Sequence, residues 1–363
     1  MQEDSEDDYL IELFTLEPSH YKELGEIISK AFAVRRKEEG GTFRLDEEDV
    51  KYYFYSPTMV KDMFVRAIYK PTGKIVGFFS GANHRTFHVL GKKYRIMNPS
   101  PVAVLPEHQH HQLATKMVAK LVEVGLEKGL DAAIGFFSPN SPGYNAVKQA
   151  CDEIGVFIKE LTRAKRYAIR IFDIKRVSSV KKLKWYERLA FRILQRTKKV
   201  NNPSIREFKA EDAEQLYKLT LDFIERAQLA FIRDHDDFMW YVKQPNINCV
   251  IHEDKDGNID GFILAWKFWL AGFDKYEPFG WMDVIHTHRL SFSEGVDLCR
   301  YFCLKAKECG WTGIHLPILP YFDSNQLKKT NFILYPKQEL LNLYYIDDIP
   351  LPEDINTVYV DFR

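Results

Sequence analysis

Residues 102–129, VAVLPEHQHHQLATKMVAKLVEVGLEKG, restrict the fold more than any other stretch of this chain. A short apolar run enters a polar loop, and the loop enters an amphipathic helix. Leu113, Met117, Leu121, Val122 and Leu126 recur at three- to four-residue spacing, and Gly129 supplies a stop. The start of a helix carries unpaired N–H groups and partial positive charge, so a loop closed against it is an anion cradle that needs no lysine. The following segment, Ala132–Phe137, reads as a short buried strand.

Length and composition narrow the frame around this unit. A chain of 363 residues exceeds one ordinary domain, which gives a prior of about two. With 45% apolar and 14% aromatic residues it should bury a large core. Its 51 basic and 51 acidic side chains cancel, so no global field argues for nucleic acid. The start, MQEDSEDDY, has five carboxylates and no apolar run, and no apolar stretch approaches the ~20 residues that span a bilayer. The expected location is cytoplasmic. Cys151, Cys249, Cys299, Cys303 and Cys309 form no CxxC pair and read as buried thiols in a reducing compartment. His108, His110 and His111 share one loop with no second anchoring element, so no metal site is expected.

The order of elements repeats. The first pass has a strand at 9–15, helices at 21–32 and 46–55, and a hairpin at 63–69 and 75–82 around the turn PTGK. Strands follow at 87–90 and 94–97, then the loop unit, a helix at 144–154 and strands at 156–161 and 167–172. The second pass has a strand at 204–208, helices at 210–228 and 236–242, and a hairpin at 249–253 and 259–271. A strand at 281–285, a helix at 292–309 that Ser293 is expected to cap, a strand at 313–316 and a closing strand at 340–345 complete it. The openings IELFTLEPSHYKEL and IREFKAEDAEQLYKL share one pattern. The expected division is 1–176, a basic amphipathic linker helix at 177–202, and 203–363. In Lys175–Val200 ten Lys or Arg meet one acid, Glu187. Trp185, Leu189 and Ile193 mark one stripe of that helix, and Arg188, Arg192 and Arg196 another. Either the apolar stripe packs on the domains, or residues 178–199 make peripheral contact with a membrane.

Strand, phosphate loop, helix and strand in this order resemble the cofactor-binding core of the GNAT N-acetyltransferase superfamily. Its loop motif, [Arg or Gln]-x-x-Gly-x-[Gly or Ala], aligns with Gln109-His110-His111-Gln112-Leu113-Ala114 after Pro106-Glu107. Gln112 stands where the motif has glycine, the residue used where backbone approaches a ligand closely. The resemblance implies an α/β (α+β) protein of two tandem GNAT-like domains, each a mixed, mostly antiparallel sheet flanked by helices. It also implies acetyl-CoA, or another acyl-CoA, as co-substrate, with the acyl group passing to the amine of a small molecule or peptide. Some tandem relatives, N-myristoyltransferases among them, hold acyl-CoA in one half and shape the acceptor site with the other. The competing reading is an inactive GNAT-fold binding or scaffold protein.

By the same resemblance, Val102 and Val104 would pair with the pantetheine arm, while Gln109, His110, His111, Gln112, Leu113, Ala114 and Thr115 would cradle the pyrophosphate. Asn140 and Asn145 are contacts to the arm or, on their own chemistry, turn and capping residues. The strand amide that polarises the thioester leaves no side-chain signature. An acid for the departing thiolate would fall at Cys151, with Tyr144 two turns earlier as the substitute, and His84 is a base candidate beside His88. In the second half, His286-Thr-His-Arg-Leu-Ser-Phe-Ser293-Glu294 shows no such loop. Its density of Phe and Trp is that of a core face or a substrate groove.

Overall fold

The computed structural model describes residues 8–32 and 37–362. These fall into two compact units, neither of them a continuous stretch. Of the described residues, one comprises 8–32, 45–163 and 338–353, the other 37–44, 164–337 and 354–362.

In chain order the first unit begins with β1 (Tyr9–Phe14) and α1 (Tyr21–Ala31), and β2 (Thr42–Arg44) then belongs to the second unit. It continues through α2 (Glu47–Phe54), β3 (Phe64–Tyr69), β4 (Lys74–Ser80), β5 (His84–Val89), β6 (Lys92–Met97) and β7 (Val102–Val104). Next come α3 (Leu113–Glu127), β8 (Ala132–Phe137), α4 (Pro142–Ile154) and the start of β9 (Phe157–Ile171). The order β1-β3-β4-β7 forms a four-stranded antiparallel sheet. β5 pairs antiparallel with β6, and β6 pairs parallel with β8. α3 buries Met117, Val118 and Leu121, with Met117 against Gly77 of β4, while the buried Phe54 ring meets those of Phe64 and Phe78 at 5.6–5.8 Å. Gly155, at φ 75°, ends α4 in the left-handed conformation that glycine takes without strain.

The second unit carries α5 (Ile174–Val180), α6 (Trp185–Leu194), β10 (Ile205–Glu207), α7 (Ala213–Arg226), β11 (Leu229–Ile232) and α8 (His235–Tyr241). β12 (Ile247–Glu253), β13 (Ile259–Gly272), β14 (Lys275–His286), α9 (Phe292–Glu308), β15 (Gly313–Pro317), α10 (Ser324–Lys329), β16 (Ile333–Tyr345) and β17 (Val358–Val360) follow. Its sheet runs β10-β12-β13-β14-β15-β9, with β2 added on β13. Leu298, Cys299, Phe302 and Cys303 of α9 sit against Val250, Ile263, Ile285 and Ile314. The thiols at 299 and 303 are therefore core residues, whereas Cys309 is exposed, contrary to its sequence reading.

Three expectations change. Leu340–Tyr345 does not close the second sheet: it pairs antiparallel with Ala132–Phe137 and belongs to the first unit. Nothing local could announce this, because a strand buried on both faces has the same apolar run whichever neighbour it joins. The stretch after β9 is two helices, α5 and α6, both in the second unit. The cap of α9 is Ser291 rather than Ser293: its hydroxyl accepts from the Glu294 amide and Glu294 accepts from the Ser291 amide, a reciprocal capping box.

Chain ends in the second unit are tied by charge. Arg233, 3% exposed, donates to Asp361 at 2.9 Å and to Asp237 at 3.1 Å, and its guanidinium lies 3.9 Å over the Tyr241 ring. Tyr241 in turn donates to Asp283 at 2.7 Å. Desolvation by itself disfavours the cation, yet Asp361 and Asp237 raise its pKa overall. Burial, with Asp361 close by, pushes the Asp283 carboxyl upward. Removing the cation strands buried carboxylates, which costs about 3–5 kcal/mol. Arg233→Ala is therefore expected to lose stability of that order in urea unfolding, whereas a loss below about 1 kcal/mol would show that the cluster is not a buried ion network.

Candidate functional site

A slot opens in the first unit where two strands part. β6 pairs with β8 through Ile96↔Ala132 and Met97↔Ala133, and the ladder stops there. The chain then continues as β7, which pairs only with β4, at Gly77↔Val104, Phe78↔Ala103 and Phe79↔Val102. β8 meanwhile pairs with Leu340–Tyr345 on its other side. Val102 and Val104 thus lie on a sheet edge whose outer main-chain groups have no strand partner among the described residues. Gly143, at the start of α4, lies within 4 Å of Val102 and Phe137, measured from where its Cβ would be. The Phe137 ring stands 5.9 Å from Tyr144.

At the far end of β7 the chain turns through Pro106–His108 into the start of α3. His110 has φ 75° and Gln112 φ 56°. Gln112 therefore keeps the left-handed backbone that a glycine would adopt, despite its side chain, at a strain of roughly 1 kcal/mol. Its side chain is exposed, outside the turn. The first helical amide with an acceptor is that of Lys116, which donates to the Gln112 carbonyl at 3.0 Å. No acceptor among the described residues takes the amides of His110, His111, Gln112, Leu113, Ala114 or Thr115. Leu113 and Thr115 bury their side chains, so these positions offer the loop mainly their N–H groups. No side chain caps α3 and its first turn has no acid. Gln109 holds the loop by donating from Nε2 to the Val104 carbonyl at 3.2 Å. His108 accepts from or donates to the Tyr9 hydroxyl at 2.9 Å, and His111 lies 5.2 Å from the Tyr9 ring.

The second unit repeats the short parallel ladder and closes the helix start. β14 pairs parallel with β15 only at Gly280↔Ile314 and Trp281↔His315, then departs. C-terminal residues lie beside its departing stretch: the Phe362 amide donates to the Asp283 carboxylate at 3.0 Å, and the Phe362 ring lies 5.7 Å from Trp281. The start of α9 is self-capped and carries Glu294, a carboxylate held below its usual range by the Ser291 hydroxyl and amide. An anion is welcome at α3 and repelled at α9.

The sequence-named residues separate accordingly. Val102, Val104 and 109–115 come together around the slot and its loop, with Tyr144 at the slot's α4 side. Asn140 sits at φ 59° in the turn before α4, where Ser141 is the cap. Asn145 is an exposed residue of α4. Cys151 is 1% exposed and its thiol is pushed up to about 12 by burial and by Asp152, so it faces the core instead of the slot. His84 lies opposite Met97, the residue at which the strands part. Burial, reinforced by Arg95, Arg85 and Lys128, pulls its imidazole down to about 4, and its Nε2 is buried without a hydrogen bond.

Among the described residues, one trio of potential metal ligands converges: Asp222, His286 and His288, in the second unit. His286-Thr-His288 is the sequence signal for it, a pair of histidines straddling the end of β14. The Asp222 oxygen they face already lies 2.6 Å from the Arg289 guanidinium, so the carboxylate has a cation.

Comparison with known proteins bears on the fold. Residues 28–148 match the family model described as Acetyltransferase (GNAT) family. This stretch is a GNAT-family domain. No curated protein sequence matches the chain. Among solved structures, Saccharomyces cerevisiae N-myristoyltransferase with bound myristoyl-CoA superposes with a TM-score of 0.71 at 16% identity, over 95% of this chain and 83% of that one. The same yeast enzyme with myristoyl-CoA and inhibitors gives 0.73 at 15% identity, over 99% and 90%. At such identity the likeness is one of fold: tandem GNAT-like, with mixed sheets flanked by helices. No described helix is long and apolar enough to cross a membrane.

His84 of the GNAT domain gives a test by acid. Between pH 6.5 and about 4 the unfolded chain binds a proton there that the native state refuses, so acidification removes stability in that window. At pH 5 the loss is at most about 2 kcal/mol relative to pH 7. His84→Gln should remove that component of the pH dependence in urea unfolding, and an unchanged dependence would show that the ring titrates as if free.

Proposed function

We propose that this protein is an acyl-CoA-dependent N-acyltransferase whose first unit binds the donor. The carrying observation is the run of six amides, His110 to Thr115, without acceptors at the acid-free start of α3. A diphosphate supplies the acceptors that such a run lacks, and the helix dipole favours its charge. The unpaired edge of β7 offers main-chain groups to an amide-bearing arm, as an added strand would. A donor so placed runs from the loop toward the point where β6 and β8 part, and an N–H of the β7 edge would polarise the thioester carbonyl there. The amine attacks that carbon, loses a proton, and the thiolate leaves. Tyr144 is the residue beside the slot with a proton to give, in preference to Cys151. His84, neutral at physiological pH, stands at the parting point as the base candidate.

Acetyl-CoA is the donor that the loop motif favours. The tandem fold shared with yeast N-myristoyltransferases makes myristoyl-CoA the competing donor, and the acceptor would be the amine of a small molecule or peptide. The inactive-scaffold reading is favoured by Gln112 and by the buried Cys151 at the position expected to hold a tyrosine, and the retained left-handed backbone at Gln112 weighs against it.

Thermal shift with CoA and its acyl esters tests the proposal. A ligand at 100 times its Kd, bound only by the folded state, adds about 2.7 kcal/mol. Gln112→Gly should keep that shift or enlarge it, because glycine relieves the strain without touching the amides. Ala114→Glu should abolish it while leaving the unliganded protein at least as stable, since a carboxylate in the first turn suits the dipole and repels a diphosphate. No shift in the wild type at millimolar ligand would return the chain to the scaffold reading.

A further inference from the structure

Helix α6 turns its apolar stripe outward. Trp185, Leu189 and Ile193 follow one another at one-turn spacing and are 76%, 50% and 70% exposed, with Tyr186 exposed beside them. The sequence allowed this stripe to be a packing face, but the packing is done by Phe191, the buried residue of the helix. The orientation is fixed from within. The buried guanidinium of Arg170 donates to the carbonyls of Leu194 and Arg196 and to the Thr197 hydroxyl, and Asn331 Nδ2 donates to the same two carbonyls at 3.2 Å, so the end of the helix is held from two sides. A clamped helix presenting a contiguous apolar stripe to solvent marks an interaction surface.

Next to it lies a hollow of about 600 Å³ lined by Lys175, Arg176, Arg192, Arg196 and Lys307, with Trp311 and Phe172 among its apolar wall residues. Arg176 is engaged by Glu277 at 2.7 Å. Asp173, the acid in the lining, is committed to the amides of Lys175 and Arg176 at the start of α5. Lys175, Arg192, Arg196 and Lys307 meet no carboxylate among the described residues. Arg188, Lys198 and Lys199 add exposed charge on the same side of the sequence, and Glu187 is spent on the Lys184 amide.

We propose that this face docks on a bilayer containing anionic phospholipid. Trp185, Leu189 and Ile193 enter at headgroup depth, and the hollow receives a lipid phosphate between Arg192, Arg196, Lys175 and Lys307. The two halves of the surface call for the two halves of one ligand: an apolar phase for the stripe and an anion for the hollow. Free phosphate would leave the stripe in water. An apolar protein partner would leave four cations unpaired.

Flotation with vesicles tests this on the whole chain. The protein is expected to float with phosphatidylcholine vesicles carrying about 30 mol % phosphatidylglycerol, to stay behind with phosphatidylcholine alone, and to be released by high salt. Each charge removed from the hollow should weaken partitioning about fivefold, so Arg192→Gln with Arg196→Gln gives about 25-fold. Trp185→Ser with Ile193→Ser should abolish flotation even with all charges present. Both pairs are exposed, so the melting temperature and the CoA shift should stay at wild-type values, which separates failure here from failure of the acyltransferase reading. The proposal is overturned if the wild type does not float, if either pair floats like the wild type, or if the Trp185 and Ile193 pair changes the oligomeric state in size-exclusion chromatography. The last result would make the stripe a contact between two copies of the chain.

Discussion

The first unit depends on one interrupted ladder. β6 and β8 hold each other at 96–97 and 132–133 and then separate, each having found another neighbour. A sheet edge is ordinarily a hazard, because its main-chain groups recruit any passing strand. Here the edge is only three residues long and leads directly to a helix start whose amides are equally uncommitted. A strand edge without a strand partner and a run of amides without acceptors among the described residues meet at one corner. Groups of this kind at a helix start are met by water, by side chains or by a ligand, and no side chain among the described residues meets these.

The second unit shows what the same topology becomes when those groups are met from within. Its parallel ladder is equally short, but a C-terminal segment anchored by Arg233 and Asp361 lies beside the departing strand and donates to its Asp283 carboxylate. The helix that follows is closed by its own serine and glutamate. The two copies thus diverge in hydrogen-bond supply more than in architecture. Divergence of that kind can convert a cofactor fold into a purely structural one without altering its strand order.

Much of this was legible in the sequence, because it rests on local periodicity. The spacing of Leu113, Met117 and Leu121 marks α3, and the repeated strand–helix opening marks the duplication. Gln112 was the ambiguous residue: letter matching counts it against the motif, and only its φ shows that the backbone kept the turn. Cys151 was assigned by offset along a helix, and the helix's rotation, invisible in one sequence, put it in the core. Ser291 escaped because both it and Ser293 precede a helical run, and the Glu294 partner three residues on decides between them. The destination of Leu340–Tyr345 and the role of Arg170 depend on contacts far apart in the chain, for which composition carries no signal.

That exchange of segments has a further result. Since 338–353 belong with the first unit and 37–44 with the second, no single cut yields two intact halves. During synthesis, β8 emerges about 200 residues before the strand that flanks it, as the positions of Ala132 and Leu340 require. That side of β8 therefore stays uncovered until Leu340–Tyr345 have been translated. The tandem chain matures as one object, because each unit completes itself with a segment from the other's side of the sequence.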